Sequence, residues 1–463
     1  MTLLGVETVD LARAQFGLTS LYHFLFVPLT LGLAPLVATM QTIWHRTGDD
    51  RWLRLTKFFG TLLLINFAIG VATGLVQEFQ FGMNWSVYSE YVGGVFGAPL
   101  AIEGLAAFFL EATFLGLWIF GWDRLSKRVH LATIWIVAFG TWLSAYFILV
   151  ANSWMQHPVG SKVSGGEAHL TDVGDLLLSR FALYAFTHTM LVGLTTGAMV
   201  VLGIACWHLA RGRNVELFRR AAALALIVAV PVTALNMVVG SRFGLATTDY
   251  QPMKIAAAEA LWDTEKPASF SLFQIGGFSK DDQDPSFDLE VPYLLSFLAT
   301  GSFTAQVDGL NAVQAQEEKQ YGAGNYIPPV EPVYWAMRVM AYLGALMALV
   351  ALVGAWLYRT GRLERSRWYL WTAVVATAFP FCAALAGWVL TEIGRQPWIV
   401  QGLLRTSDAH SPSVSGATVA VSLGVFVLLY TALGVADVIL MRRYARVDPP
   451  PVREDLPAAP VSV

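Results

Sequence analysis

Nine stretches of the chain are long and apolar enough to cross a bilayer: roughly 16–44, 57–79, 97–121, 129–153, 183–209, 217–240, 333–358, 368–392 and 416–441. Crossing a ~30 Å hydrocarbon core takes about 20 mostly apolar helical residues. Lipid offers no partner to an unpaired backbone N–H or C=O, so each stretch must be helical. The predicted fold is therefore all-α, a polytopic membrane helix bundle of about nine transmembrane helices. Pro28, Pro35, Pro231 and Pro380 fall inside these stretches and are expected as kinks supported by neighbouring helices.

Composition agrees. Hydrophobic residues make up 56% of the 463 and charged residues 14%, well under the ~25% charged content of globular domains, so the lipid bilayer is the expected solvent. A net charge of -3 carries no basic excess, which excludes a nucleic-acid partner. The two cysteines, Cys206 and Cys382, lie in apolar runs without CxxC spacing and read as buried thiols rather than a disulfide, zinc or iron–sulfur site. Residues 1–15 show no basic segment leading to a small-residue cleavage site, so no cleaved signal peptide is expected.

Most of the 30 Lys and Arg residues crowd into alternate short loops and the tail: Arg46 to Lys57, Arg124 to Arg128, Arg211 to Arg220, Arg359 to Arg367, and Arg442 to Arg453. Positive charge marks the cytoplasmic side, which places the N-terminus outside and the C-terminus inside. The chain then divides into helices 1–6 (residues 1–240), a long extracytoplasmic loop (241–332), helices 7–9 (333–446) and a Pro-rich tail (447–463) too poor in apolar residues to fold. The loop contains the helix-like run KIAAAEALW, Lys254 to Trp262, and a run from Val291 to Thr300 too short to span. Long ordered loops usually serve binding.

Ionisable side chains within membrane helices cost about 2.5–3.5 kcal/mol each at the bilayer centre, so each calls for a partner or a function. Under the inferred orientation His23, Glu103, His188, Met340 and Glu392 all fall toward the outer side. His and Met on separate helices are the usual axial ligands of a heme held in a bundle. His45, His130, His157, His169, His208 and His410 read as ordinary structural histidines. Glu103 and Glu111 are separated by about 12 Å along an α-helix and roughly 80° around it, so both can face one interior and relay protons. The bland reading is that each is hydrogen-bonded to a neighbouring helix.

Three runs carry a resemblance to a known family: EFQFGMNWSVYSEYVGGVFGAPLAIEG (Glu78 to Gly104), GRQPW (Gly394 to Trp398) and LYHFLFVPLTLG (Leu21 to Gly32). Together they resemble subunit I of cytochrome bd-type quinol oxidases, from about residue 7 to 446. The resemblance implies a bacterial cell-membrane enzyme that oxidises quinol at the outer face and reduces dioxygen to water. It implies that His188 and Met340 are the axial ligands of a low-spin heme b. His23 and Glu392 match ligands of a high-spin heme b and a heme d, in either order, with Glu103 a carboxylate at that site and Trp388 a cofactor contact. Arg338 and Arg395 suit heme propionates or carboxylate ligands, since a guanidinium pairs bidentately with such groups.

Lys254 and Glu259 match quinol-site residues, with Glu259 as the base. No extended insert separates Gln320 from Pro328, which places the chain in the short quinol-loop group. Protons from the cytoplasm would pass Ser144 and Glu111 to Glu103, so that turnover builds membrane potential without a pump. The resemblance further implies a second large membrane subunit (subunit II) and small single-helix subunits. A proton-coupled secondary transporter is the competing reading, but it calls for paired, broken-helix halves, and no internal repeat is visible. A subunit that only transfers electrons would leave His23, Glu103 and Glu392 without a use.

Overall fold

The computed structural model describes residues 2–3 and 6–450. Most of the Pro-rich tail expected to be disordered, from 451 onward, lies outside the described residues. Among them, nine helical segments are long and apolar enough to span, in the predicted order. The first joins α1 (Thr8–His23) to α2 (Val27–Thr47); the second is α3 (Asp50–Asn84). The third runs from α4 (Ser86–Ile102) through a π-helical turn (Glu103–Phe108) into α5 (Phe109–Phe120). Then follow α6 (Lys127–Gln156), the pair α7 (Val173–Leu177) and α8 (Arg180–Ala210), and α9 (Val215–Tyr250). The connecting loop holds α10 (Pro252–Glu259), a hairpin of Phe270–Gly276 with Pro285–Val291, α11 (Leu294–Thr300) and α12 (Leu310–Tyr321). The bundle closes with α13 (Val330–Arg359), the pair α14 (Arg367–Ala376) and α15 (Phe379–Ile393), and α16 (Gly416–Tyr444).

Two details depart from expectation. The sixth span does not stop at 240 but continues to Tyr250, and the loop starts there. Pro252 ends it by forcing the preceding residue out of the helical region, and Gln251 sits at φ -139° and ψ 64°. Pro28 and Pro380 are not kinks. They occupy the first positions of α2 and α15, after breaks in the first and eighth spans, where the missing N–H costs no hydrogen bond. Pro35 and Pro231 do lie within continuous helix.

The α8 helix is the axis of the bundle, packing on α2, α6, α9 and α14. Of its most apolar window 78% is buried, against 11% for α16, which lies at the edge. Small residues permit this: a Cβ on Gly32 of α2 would stand 1.9 Å from the Gly193 carbonyl oxygen and 2.8 Å from the Gly197 nitrogen of α8. Backbones this close rely on glycine, as is common where van der Waals contact rather than water exclusion drives association.

The two ends of the bundle differ. Toward the arginine-rich end the helices pack into a dry core that includes Met40, Leu55, Phe59, Leu62, Leu202 and Phe218. Toward the loop end the interior is polar and hollow. Five of the six histidines read as structural meet ordinary partners. Gln41 donates to His130, which donates to the Trp118 carbonyl; His208, His169 and His410 bond the carbonyls of Ala445, Ser164 and Ser407; and His157 stacks on Tyr250 at 3.9 Å between centroids.

Replacing Gly197 with Val should cost about 3 kcal/mol or more, because neither backbone can yield. Fluorescence-detected size exclusion should then show loss of the monodisperse peak that Gly93→Val, at an exposed position with nothing within 4 Å, retains.

Candidate active site

A cavity of about 740 Å³ opens inside the loop-end half. Helices α1, α3, α4, α6 and α15 and the π turn contribute its walls, and among the lining residues are His23, Glu78, Glu103, Glu111, Ser144, Trp388, Glu392 and Arg395. The structure therefore gathers His23, Glu103, Glu111, Trp388, Glu392 and Arg395, far apart in sequence, around one space. His188 and Met340 lie outside it, on α8 and α13, which both pack against α9.

Each ionisable group has a specific neighbour. His23 Nδ1 is 2.9 Å from the Thr73 hydroxyl. Ser144 donates to Glu103 at 2.5 Å, and Glu78 lines the same cavity. Glu111 and Glu103 both reach the cavity even though the π turn between them alters the angle that an unbroken α-helix would set. Such turns occur disproportionately at functional sites.

Glu392 is the most heavily bonded carboxylate in the cavity. Arg395 donates to it at 2.5 Å, Asn152 at 2.8 Å and Gln156 at 3.3 Å. Gln156 in turn accepts from Lys254 Nζ at 2.6 Å, so the loop helix α10 is tied directly to the cavity. Burial, together with the nearby Arg395 charge, pulls the Lys254 ammonium down to about 7. Trp388 stacks on Phe24 with 5.0 Å between centroids.

Glu259 sits at the other end of α10 and points elsewhere. It pairs with Arg338 at 2.7 Å, with both side chains nearly inaccessible. Arg338 also donates to the carbonyls of Ala258 and Ser271, and its guanidinium lies 3.7 Å from the Tyr334 ring centroid. Burial pushes the Glu259 carboxyl up to about 7, with Arg338 opposing the shift. Lys254 and Glu259 thus border two separate places: Lys254 the Glu392 network, Glu259 the base of α13 that carries Met340.

The family model for cytochrome bd terminal oxidase subunit I matches residues 11–449. The chain belongs to that family. It is 45% identical to the cytochrome bd ubiquinol oxidase subunit 1 of Bacillus subtilis (strain 168), over 94% of this chain and 92% of that one. It is 39% identical to the cytochrome bd-II ubiquinol oxidase subunit 1 of Escherichia coli (strain K12), over 97% and 99%. The bd oxidase structure from Geobacillus thermodenitrificans superposes with a TM-score of 0.85 at 30% identity, covering 95% of this chain and 98% of that one. This oxidase subunit is the catalytic subunit I of a bacterial, multi-pass membrane quinol:dioxygen oxidoreductase, and the transporter reading is set aside.

A cytochrome carries heme, and the residues present fit one. Three of the four expected ligands face a glycine on a neighbouring helix. A Cβ on Gly74 would lie 3.1 Å from His23 Cε1, one on Gly240 3.4 Å from His188 Cε1, and one on Gly387 2.9 Å from Met340 Sδ. Side-chain-free helix surface beside each of these three is the room a flat macrocycle needs. Buried polar atoms also wait for partners: His188 Nδ1, and Nε and Nη1 of Arg395, a donor set matched to a metal and to propionates.

Sequence reasoning passed over Asn152, Gln156, Glu78 and Thr73. Glu78 opens the longest diagnostic run and was available as a membrane carboxylate. The two amides carry no charge to draw attention, and their partner Glu392 is more than two hundred residues away.

Among the described residues, Gln156 is the only hydrogen-bond acceptor for the buried Lys254 ammonium. Gln156→Leu should therefore destabilise the subunit by about 1–3 kcal/mol, the cost of leaving a buried donor unmet, whereas Gln156→Glu keeps the acceptor. Thermal unfolding of the purified oxidase, followed by tryptophan fluorescence, would read the difference.

Proposed function

We propose that the oxidase subunit holds a low-spin heme b between His188 and Met340, and a high-spin heme b and a heme d at His23 and Glu392, with Glu103 and Trp388 beside them. The observation that carries this reading is the convergence of His23, Glu103 and Glu392, from the first, third and eighth spans, on one cavity. Such hemes, when bound, supply electron transfer and the site where dioxygen is reduced. The chain's own residues do the rest. Arg395 and Asn152 hold Glu392 in one orientation, and Thr73 fixes the ring of His23.

Quinol oxidation releases two protons, and Glu259 is the group placed to accept them. It lies outside the spans, at the loop end, and its partner Arg338 is two residues from Met340 on the same helix. A base poised near 7 is well matched to that task. Lys254 completes the loop's contribution by anchoring α10 to Gln156.

The crowding of arginines at the opposite end supports an N-out, C-in orientation, with protons released outside. Protons for water formation rise from the cytoplasm past Glu111 to the Ser144, Glu103 and Glu78 cluster, which generates membrane potential without pumping. The comparison with the E. coli protein extends over 509 positions, more than the 463 of this chain, which supports the short quinol-loop assignment. The relatives are numbered as subunit 1, and the exposed apolar edge formed by α16 leaves surface for subunit II and small single-helix subunits.

In reduced-minus-oxidised optical spectra of the assembled oxidase, His188→Ala should abolish the low-spin b band and leave the others. Glu392→Ala should instead remove the band of the one heme it holds and leave the low-spin b band; loss of the same band in both would overturn the ligand assignment. Quinol oxidation should rise with pH through about 7 as the Glu259 carboxyl ionises, since only the carboxylate accepts a proton. Steady-state rates of Glu259→Gln should fall about 10²–10⁴-fold, the worth of a general base, and lose that limb.

A further inference from the structure

We infer that the loop hairpin Phe270–Gly276/Pro285–Val291 is an interfacial element whose apolar face lies in the headgroup–acyl boundary of the leaflet at the loop end. Its register pairs Phe273 with Leu289 and Ile275 with Phe287. Directly opposed residues share a face, and all four are 42–54% exposed. The other face is polar: Gln274 pairs with Asp288, which accepts from Ser271. Four clustered apolar side chains open to water would be an unusual surface for a loop.

Depth settles which medium they meet. The Tyr342 hydroxyl donates to the Leu272 carbonyl. Tyr342 lies about 18 Å along α13 from its start, and a helix about 45 Å long, centred on a ~30 Å core, overhangs it by ~7 Å at each end. The base of the hairpin is therefore level with hydrocarbon. Its tip lies higher, since Phe278 packs on Tyr334 and Trp335 nearer the start of α13, and the tip carries the exposed Lys280, Asp281, Asp282 and Asp284. Charge clusters at the outer end, Asp288 and Glu290 lie on the polar face below it, and the apolar side chains share the opposite face, the two-sided arrangement of an interfacial amphipathic element. The apolar face also continues the lipid-facing stripe of α13, where Val339, Tyr342, Leu346 and Leu349 are exposed, through the contact of Phe273 with Trp335 at 5.3 Å.

The same strand walls in the buried pair, for Arg338 donates to the Ser271 carbonyl at 2.6 Å. If Glu259 is the quinol base, as proposed above, one strand separates it from the acyl chains, and a quinol can present its headgroup while its tail stays in lipid.

The test places single cysteines at Ile275, Phe287 and Asp282 in a Cys206→Ala, Cys382→Ala background of the assembled oxidase. Each is spin-labelled and reconstituted in lipid nanodiscs, and retention of the wild-type optical spectrum shows that it is folded. Collision of each label with oxygen and with a water-soluble nickel chelate is then measured in the oxidised enzyme, where no turnover occurs. Labels at 275 and 287 should be oxygen-accessible, with chelate accessibility several-fold below that at 282. Chelate accessibility equal to that at 282 overturns the inference in favour of a water-exposed loop. Low accessibility to both reagents overturns it in favour of cover by a protein partner. Should either variant misfold, Phe273→Cys and Leu289→Cys report on the same face. None of these outcomes depends on where quinol binds.

Discussion

The carboxylate of Glu392 is the point on which the loop-end half depends. A charge in a medium of low dielectric is tolerable only when paired and hydrogen-bonded, and here Arg395, Asn152 and Gln156 share the work. These donors come from α6 and from the turn that follows α15, and Gln156 passes the connection on to Lys254 of α10. One carboxylate thereby fixes the relative positions of two spans and the loop helix that crosses above them. The polar side chains that line the cavity are thereby held in place by protein neighbours.

The dry half makes this possible. Around α8 the helices approach closely through Gly32, Gly193 and Gly197 and bury an unbroken apolar core. Close packing there transmits little slack, so the opposite half can be hollow without collapsing. The division of labour follows the membrane normal, with rigidity at the arginine-rich end and chemistry at the loop end.

Hydropathy alone located all nine spans, because the bilayer imposes one length and one kind of backbone on every crossing. It also exposed the ionisable residues, whose rarity in lipid makes each conspicuous. It was silent about Asn152 and Gln156, whose neutral side chains cost little anywhere and acquire meaning only from a partner distant in sequence. The helix breaks before Pro28 and Pro380 were read as kinks because proline alone does not say whether a helix bends or restarts. Nor did spacing reveal that Lys254 and Glu259, five residues apart on α10, face different sites, since that separation suits either a shared face or a divided one on a short exposed helix.

The π turn at Glu103–Phe108 has a consequence for how such a site can arise. A π segment accommodates a residue more than the α-helix it interrupts, so the eight-residue spacing of Glu103 and Glu111, about 80° out of phase in regular winding, is brought close to the in-phase spacing of seven. The alignment of the two carboxyls on one space is thus a property of register and not of side-chain identity. In evolutionary terms, a one-codon insertion absorbed as a π turn can be gained or lost with the two carboxyls still nearly in phase, while every functional residue stays in place.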